Sequence, residues 1–221
     1  MWILGIDEAG RGPVIGPMVL AGCLITEEAQ LELKKLGIKD SKELTQKRRE
    51  YLSEKIKVIA ETFEIVLSYP VEIDLSLNGG TNLNKLEAAK IAEIINKVNR
   101  GYGKIRVIID CPSVTIEKWT DHLKTKIETL HNLEIVCEHK ADKNHVAVSA
   151  ASILAKTIRE KEMDKLREIH GIEIGSGYTS DPSTIRFLEL NADNNKNSDI
   201  FRKTWETWKR ASDKLIQRKL F

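Results

Sequence analysis

Fourteen residues near the start, ILGIDEAGRGPVIG from Ile3 to Gly16, constrain the fold more than any other stretch. A short apolar run, Trp2, Ile3, Leu4 and Ile6, has the length and composition of a buried strand, and it ends on adjacent carboxylates, Asp7 and Glu8. Acid is thus delivered to the exit of a core strand. Successive strand side chains face opposite ways, so Asp7 and Glu8 serve one site only if the regular strand stops before Ala9. Gly10 and Gly12 allow that break, because glycine tolerates backbone angles other residues resist. The plain alternative is a solvated acidic turn. Against it stands Ala9-Gly10-Arg11-Gly12-Pro13, too low in bulk to pack a core and too particular for a generic loop. A phosphate-binding P-loop is excluded, since no Gly-Lys-Ser/Thr follows.

The rest of the chain has room to build around this strand. At 221 residues it holds one domain, or one domain with an appendage. The formal net charge is only +2, so any affinity for nucleic acid must come from local basic patches. Cys23, Cys111 and Cys137 lie far apart without CxxC spacing, as expected of small buried residues in a reducing compartment. The apolar start is broken by Asp7 and lacks a basic leader and cleavage site, and no run approaches the roughly 20 apolar residues of a membrane span. A cytoplasmic location without membrane contact is expected.

Pro17 to Ile25 reads as a second buried strand, near enough to the first for antiparallel pairing. A short helix over Glu27 to Leu36 is ended by Gly37, and Thr45 caps a helix over Gln46 to Ile59. Between them lies Asp40-Ser41-Lys42, ahead of a helix N-terminus that favours anions. Glu61 to Tyr69 suggests a third strand ended by Pro70, and Leu83 to Val98 a long helix. Ile105 to Ile109 is a strand finishing on Asp110, which repeats the opening design. Helix-forming residues run from Thr115 to Leu130, then a strand from Leu133 to Cys137. A long helix follows from Asn144 to His170, with Asp142 at or near its cap and a run of Ala and Ser that permits close approach to a sheet. His139 and His145 flank Asp142; histidine at a helix start is ordinarily a structural hydrogen-bonder, and His145 is also a candidate aid to product release. Ser176 to Pro182 is turn chemistry around Tyr178. A final helix from Ile200 carries Trp205 and Trp208 with a basic surplus that includes Arg202, Lys203, Lys209, Arg210, Lys214, Arg218 and Lys219. That surplus reads as a phosphate-contacting face or, equally, as a solvated face over packed tryptophans.

Asp7, Glu8, Asp110 and Asp142 all fall at strand exits or a helix entry, where they can converge on one sheet edge. Such clustered acids repel one another unless positive charge sits among them. Divalent cations meet that need, and hard oxygen donors without paired His or Cys favour magnesium or manganese over zinc.

The chain resembles the type 2 ribonucleases H, specifically the archaeal-like ribonuclease HII proteins. The motifs are GIDEAGRGPVIGP (Gly5 to Pro17), DSK with a following leucine (Asp40 to Leu44), the strand ending in Asp110, HKAD (His139 to Asp142), VSAASILAK (Val148 to Lys156) and SGYTSDP (Ser176 to Pro182). The resemblance implies an α/β fold, a ribonuclease H-like mixed five-stranded sheet flanked by helices. Residues 1–171 would form the catalytic domain and 172–221 a helical, substrate-contacting C-terminal extension. It implies that Asp7, Glu8, Asp110 and Asp142 bind Mg2+ or Mn2+. It further implies that Gly10, Arg11 and Gly12 recognise a ribose 2′-hydroxyl, that Lys42 contacts a phosphate, and that Tyr178 contacts the sugar at an RNA-to-DNA junction. Thr179 stands where the family usually has proline. The implied activity is cleavage of the RNA strand of RNA–DNA hybrids, and of duplex DNA on the 5′ side of a single embedded ribonucleotide, leaving 3′-hydroxyl and 5′-phosphate ends. The enzyme is expected to act as a monomer, with a sliding clamp as candidate partner. Two other classes compete: a binding module that has lost catalysis, which a missing acid would favour although none is missing, and a two-acid glycoside hydrolase, which would need no metal.

Overall fold

The computed structural model describes residues 1–38, 44–193 and 199–219, with residues 218 and 219 by backbone alone. Lys42 and the rest of the DSK motif lie outside the described residues, as do the side chains of Arg218 and Lys219. Strands β1 (Trp2–Ala9), β2 (Met18–Thr26), β3 (Thr62–Ser68), β4 (Ile105–Asp110) and β5 (Leu133–Glu138) form a five-stranded sheet in the order β3-β2-β1-β4-β5. β2 runs antiparallel to β1, whereas β4 runs parallel to both β1 and β5. This is the mixed five-stranded sheet that the family resemblance implied. The helices are α1 (Glu27–Lys35), α2 (Gln46–Ile59), α3 (Pro70–Asn78), α4 (Leu83–Val98), α5 (Ile116–Lys124), α6 (Ala141–Asn144), α7 (Val146–His170), α8 (Pro182–Asn191) and α9 (Glu206–Lys219). No described helix is long and apolar enough to cross a membrane.

The chain divides into two compact units: Met1–Ala9, Val19–Val66 and Asn84–Ile158 form the first; Gly10–Met18, Leu67–Leu83 and Arg159–Phe221 the second. The division expected at residue 171 concerns function, whereas compactness groups residues 10–18 and 67–83 with the C-terminal segment. In the first unit the Ala- and Ser-rich start of α7 lies directly on β1. A Cβ added to Gly5 would stand 2.1 Å from the Ala147 carbonyl carbon, so only glycine permits that approach. In the second unit Val14, Ile15, Met163, Ile174, Phe187, Leu188, Ile200 and Phe201 make a separate core, against which Trp205 and Trp208 pack.

Several expected boundaries move, each for a physical reason. β1 does not break before Ala9: it pairs with β2 as far as Ala9 opposite Val19, while its pairing with β4 ends at Ile6 opposite Ile109. Pro70 starts α3 instead of merely ending a strand, because proline lacks an N–H that the first helical turn would leave unpaired in any case. α5 stops at Lys124, six residues short of Leu130, because side chains on and just after α4 take the backbone groups a longer helix would use. Asn96 accepts from Glu128 N–H at 3.0 Å and donates to the Lys126 carbonyl at 3.2 Å, and Asn99 donates to the Thr129 carbonyl at 3.1 Å. The helix expected from Asn144 is split by His145, whose backbone is extended, so Asp142 sits in the one-turn α6 and not at the cap of α7. α9 starts at Glu206 and not at Ile200, because Ile200–Arg202 is held as an extended strap along residues 14–16.

Candidate active site

Asp7 lies near the end of β1, Asp110 ends β4, and Asp142 is carried by α6. One carboxylate oxygen from each of the three lies within 4.8 Å of the others. Asp7 and Asp142 are 6% and 2% exposed, and Asp110 is half-buried. The parallel register of β1 and β4 brings two acids to the same sheet end. α6 is fixed beside them: the Ala141 N–H points to Asp110 Oδ1 at 3.4 Å, and the Ser149 hydroxyl donates to the Asp142 carbonyl. Burial holds the Asp7 carboxyl well above the usual carboxylate range, and the charges of Glu8 and Asp110 add to the effect. Hydrogen bonds from the Ser152 hydroxyl and the Glu8 N–H oppose it.

Glu8 stays outside the three-acid group. Its charge still acts on Asp7, as the largest influence on that carboxyl after burial. The site's donor set is therefore three hard carboxylate oxygens with excess negative charge and no Cys or His, which fits a divalent cation of the magnesium or manganese type. His139 and His145 have protein partners. The His139 ring Nδ1 lies 3.0 Å from the Cys111 carbonyl, and His145 Nε2 lies 2.9 Å from Glu138 Oε1. Burial pushes the thiols up, the fully buried Cys23 to about 12 and the half-buried Cys137 to about 11, so neither is a reactive thiolate at neutral pH.

Gly10, Arg11, Gly12 and Tyr178 belong to the second unit. Gly10 has φ +77°, and a Cβ there would stand 2.3 Å from Arg159 Nε, so the loop turns on glycine. Tyr178 is 39% exposed, and the Arg159 guanidinium sits 4.9 Å from its ring centroid. Arg159, itself buried, also donates to the Ser176 carbonyl at 3.0 Å. With threonine at position 179, the Tyr178 turn is fixed by other means. Asp181 accepts from the Ser176 and Ser183 N–H groups at 2.7 and 2.9 Å. Thr184 accepts from Gly177 N–H at 2.9 Å and donates to the Ile174 carbonyl at 2.8 Å. The Gly177 carbonyl in turn accepts from Val14 N–H at 2.9 Å, which ties the tyrosine turn to the segment after the glycine loop.

Arg202 departs most from its expected place. Counted in the sequence among the bases of a phosphate-contacting or solvated face, it is 0% exposed and donates to the carbonyls of Gly10 (2.5 Å), Arg11 (2.7 Å) and Gly16 (2.9 and 3.1 Å). Burial, then the neighbouring charge of Arg159, pushes it down to about 9, so it remains charged at neutral pH. Arg159 and Arg202 went unmarked as site-building residues in the sequence, because each captures backbone 17 residues or more away, which leaves no local pattern. Asp181 and Thr184 act locally, and the signal for Asp181 was its place ahead of Pro182 at a helix start.

The sheet order, with acids at the ends of adjacent parallel strands, defines the ribonuclease H-like class. Comparison with known proteins narrows this. The family model described as ribonuclease HII matches residues 4–208. A ribonuclease HII of Methanocaldococcus jannaschii is 44% identical, over 100% of this chain and 99% of its own. The crystal structure of ribonuclease H2 from Pyrococcus horikoshii superposes with a TM-score of 0.86 at 36% identity, covering 97% of this chain and 98% of the other. A ribonuclease HII solved in complex with PCNA, from Archaeoglobus fulgidus, gives 0.81 at 37% identity, covering 93% and 94%. The chain belongs to the ribonuclease HII family, and it is a ribonuclease, a phosphodiester hydrolase.

Proposed function

We propose that this enzyme hydrolyses the RNA strand of RNA–DNA hybrids and cuts duplex DNA on the 5′ side of single embedded ribonucleotides, with Mg2+ or Mn2+ held by Asp7, Asp110 and Asp142. The observation that carries the reading is the mutual approach of three carboxylates to within 4.8 Å. Glu8 is the fourth acid; its charge reaches Asp7 and raises that carboxyl's pKa. A divalent ion held by these acids would supply a water of lowered pKa and neutralise charge on the phosphate; the ends expected of the cut are a 3′-hydroxyl and a 5′-phosphate. The acids orient the ion, and burial of Asp7 and Asp142 keeps their positions fixed. The Gly10-Arg11-Gly12 backbone reads the ribose 2′-hydroxyl, the group that separates RNA from DNA. Tyr178 lies against the sugar at an RNA-to-DNA junction, steadied by Arg159, and Lys42 contacts a phosphate.

Residues 172–221 serve as the substrate-contacting extension of a catalytic body formed by 1–171. The protein works in the cytoplasm as a monomer, and a sliding clamp is its partner, a reading supported by the PCNA complex of the A. fulgidus relative. The test is incubation of a duplex carrying one ribonucleotide with and without chelator. A single cut 5′ of the ribonucleotide that stops with chelator and returns with added magnesium or manganese is expected. Chelator-resistant cleavage, or none in the presence of either ion, would refute the reading.

A further inference from the structure

We propose that Arg202 is a positioning residue that fixes which way the Gly10–Gly12 backbone faces, so that discrimination between ribose and deoxyribose depends on a side chain that cannot itself reach substrate. The inference rests on the reading that this loop recognises the 2′-hydroxyl.

Its physical basis is the planarity of the peptide. Across a trans peptide the carbonyl of one residue and the N–H of the next point in opposite directions, and the described residues contain no cis bond. Arg202 draws the carbonyls of Gly10 and Arg11 inward, at 2.5 and 2.7 Å. The N–H groups of Arg11 and Gly12 are thereby turned to the opposite side. The Trp205 indole N–H extends the same grip to the Gly12 carbonyl at 3.0 Å, and Arg202 also takes Gly16. Gly12 and Gly16 each precede a proline, so the outward-turned donors of the gripped peptides are those of Arg11 and Gly12. Gly12 is exposed, and a Cβ added to it would meet nothing within 4 Å, so its backbone is open to close approach.

Two further contacts hold the gripping segment. Arg202 N–H donates to the Val14 carbonyl at 2.8 Å, and Asp74 accepts from the N–H groups of Lys203 and Thr204 at 2.7 and 3.0 Å. All the hydrogen bonds of the guanidinium go to backbone carbonyls, a use that suits its planar fork and that the point charge of lysine does not reproduce. Sugar selection is thus built from two ends of the chain, the loop after β1 and the strap before α9.

The experiment measures equilibrium affinity for a duplex with one ribonucleotide and for its all-deoxy counterpart, with magnesium, in an Asp110→Asn background that leaves both uncut. That background is expected to favour the ribonucleotide duplex; equal affinities would refute the loop reading itself. Adding Arg202→Lys is expected to lower the preference about tenfold, the worth of one or two lost hydrogen bonds, while affinity for the all-deoxy duplex, set by phosphate contacts, stays within about twofold. Guanidinium ion added to Arg202→Ala is expected to restore the preference. Trp205→Phe, which releases only the Gly12 carbonyl, is expected to lower it about threefold. Circular dichroism checks folding of each variant. A folded Arg202→Lys with undiminished preference, or with equal losses on both duplexes, would overturn the proposal. If neither Arg202 variant folds, Trp205→Phe decides it, and an unchanged preference there overturns it.

Discussion

The acid cluster and the glycine loop are joined by one peptide bond between Ala9 and Gly10, yet they are built on opposite principles. Asp7 and Asp110 are placed by the register of adjacent parallel strands and Asp142 by a single helical turn fixed beside them. Regular structure suffices there, because a metal-binding cluster needs only charge at fixed points. The loop has no regular structure of its own, and its conformation is imposed by Arg202, Trp205 and Arg159 through carbonyls and excluded volume. The role proposed for the loop, recognition of a sugar hydroxyl, requires backbone donors aimed in one direction, and an isolated glycine-rich segment has no preferred direction. Damage to the first region should therefore abolish chemistry without changing substrate preference, and damage to the second should do the reverse.

The largest effect tests the first half of that contrast. Asp7→Asn or Asp110→Asn is expected to lower turnover by about a thousandfold or more, the scale of losing metal-borne charge stabilisation, with little change in substrate affinity. Single-turnover cleavage beside a filter-binding isotherm measures both, and wild-type rates in either variant would remove the acids from the mechanism. Next in size is Gly5→Ala, which drives a methyl into the Ala147 backbone at a point where neither element can yield without loss of packing. A cost of about 3 kcal/mol is expected, seen as a melting temperature lowered by roughly 10 °C, with substrate preference retained in the folded fraction. A shift in preference instead would mean that the two regions are not separable. Tyr178→Ala comes third: about a tenfold loss on a single-ribonucleotide junction and a smaller one on a long hybrid, compared by kcat/KM on the two substrates. Equal losses would argue against a junction role.

These regions also differ in how far they could be read from the chain alone. The positions of the five strands along the chain, two acids near strand ends and a third ahead of a long helix are legible in the short apolar runs leading to Asp7 and Asp110 and in HKAD, whereas the mixed five-stranded sheet came from the family resemblance. Asp7 and Glu8 were the exception. Their adjacency suggested a shared site reached through a broken strand; pairing with β2 carries β1 unbroken through to Ala9, and the charge of Glu8 acts on Asp7 all the same. The early end of α5 lies in Asn96 and Asn99, some thirty residues away, and the late start of α9 lies in contacts with Val14, Ile15 and Asp74. Arg202 is the sharpest case. Composition counts it among the surface bases of a basic segment, and only the folded chain shows four hydrogen bonds directed inward. Capture of backbone by a distant side chain has no period and no composition, so no sequence pattern reports it.

The smallest expected effect concerns how the tyrosine turn is held where the usual proline is threonine. Asp181 caps α8 and accepts from Ser176 and Ser183 N–H groups, which hold its carboxyl below the usual aspartate range, with the Ser176 backbone bond the largest contributor. A carboxyl whose pKa is lower folded than unfolded contributes stability that is fully present above its unfolded value. That contribution is lost as the pH falls through the folded one. Asp181→Ala is therefore expected to lower the melting temperature by about 3 °C at neutral pH, the scale of one helix cap, and by progressively less as the solution is acidified below the ordinary aspartate range. Paired melting curves of the two proteins across that range measure it. A gap that stays constant into acid would assign the stabilisation to packing around the turn, and Tyr178 would then be held by shape alone and not by a charged clasp.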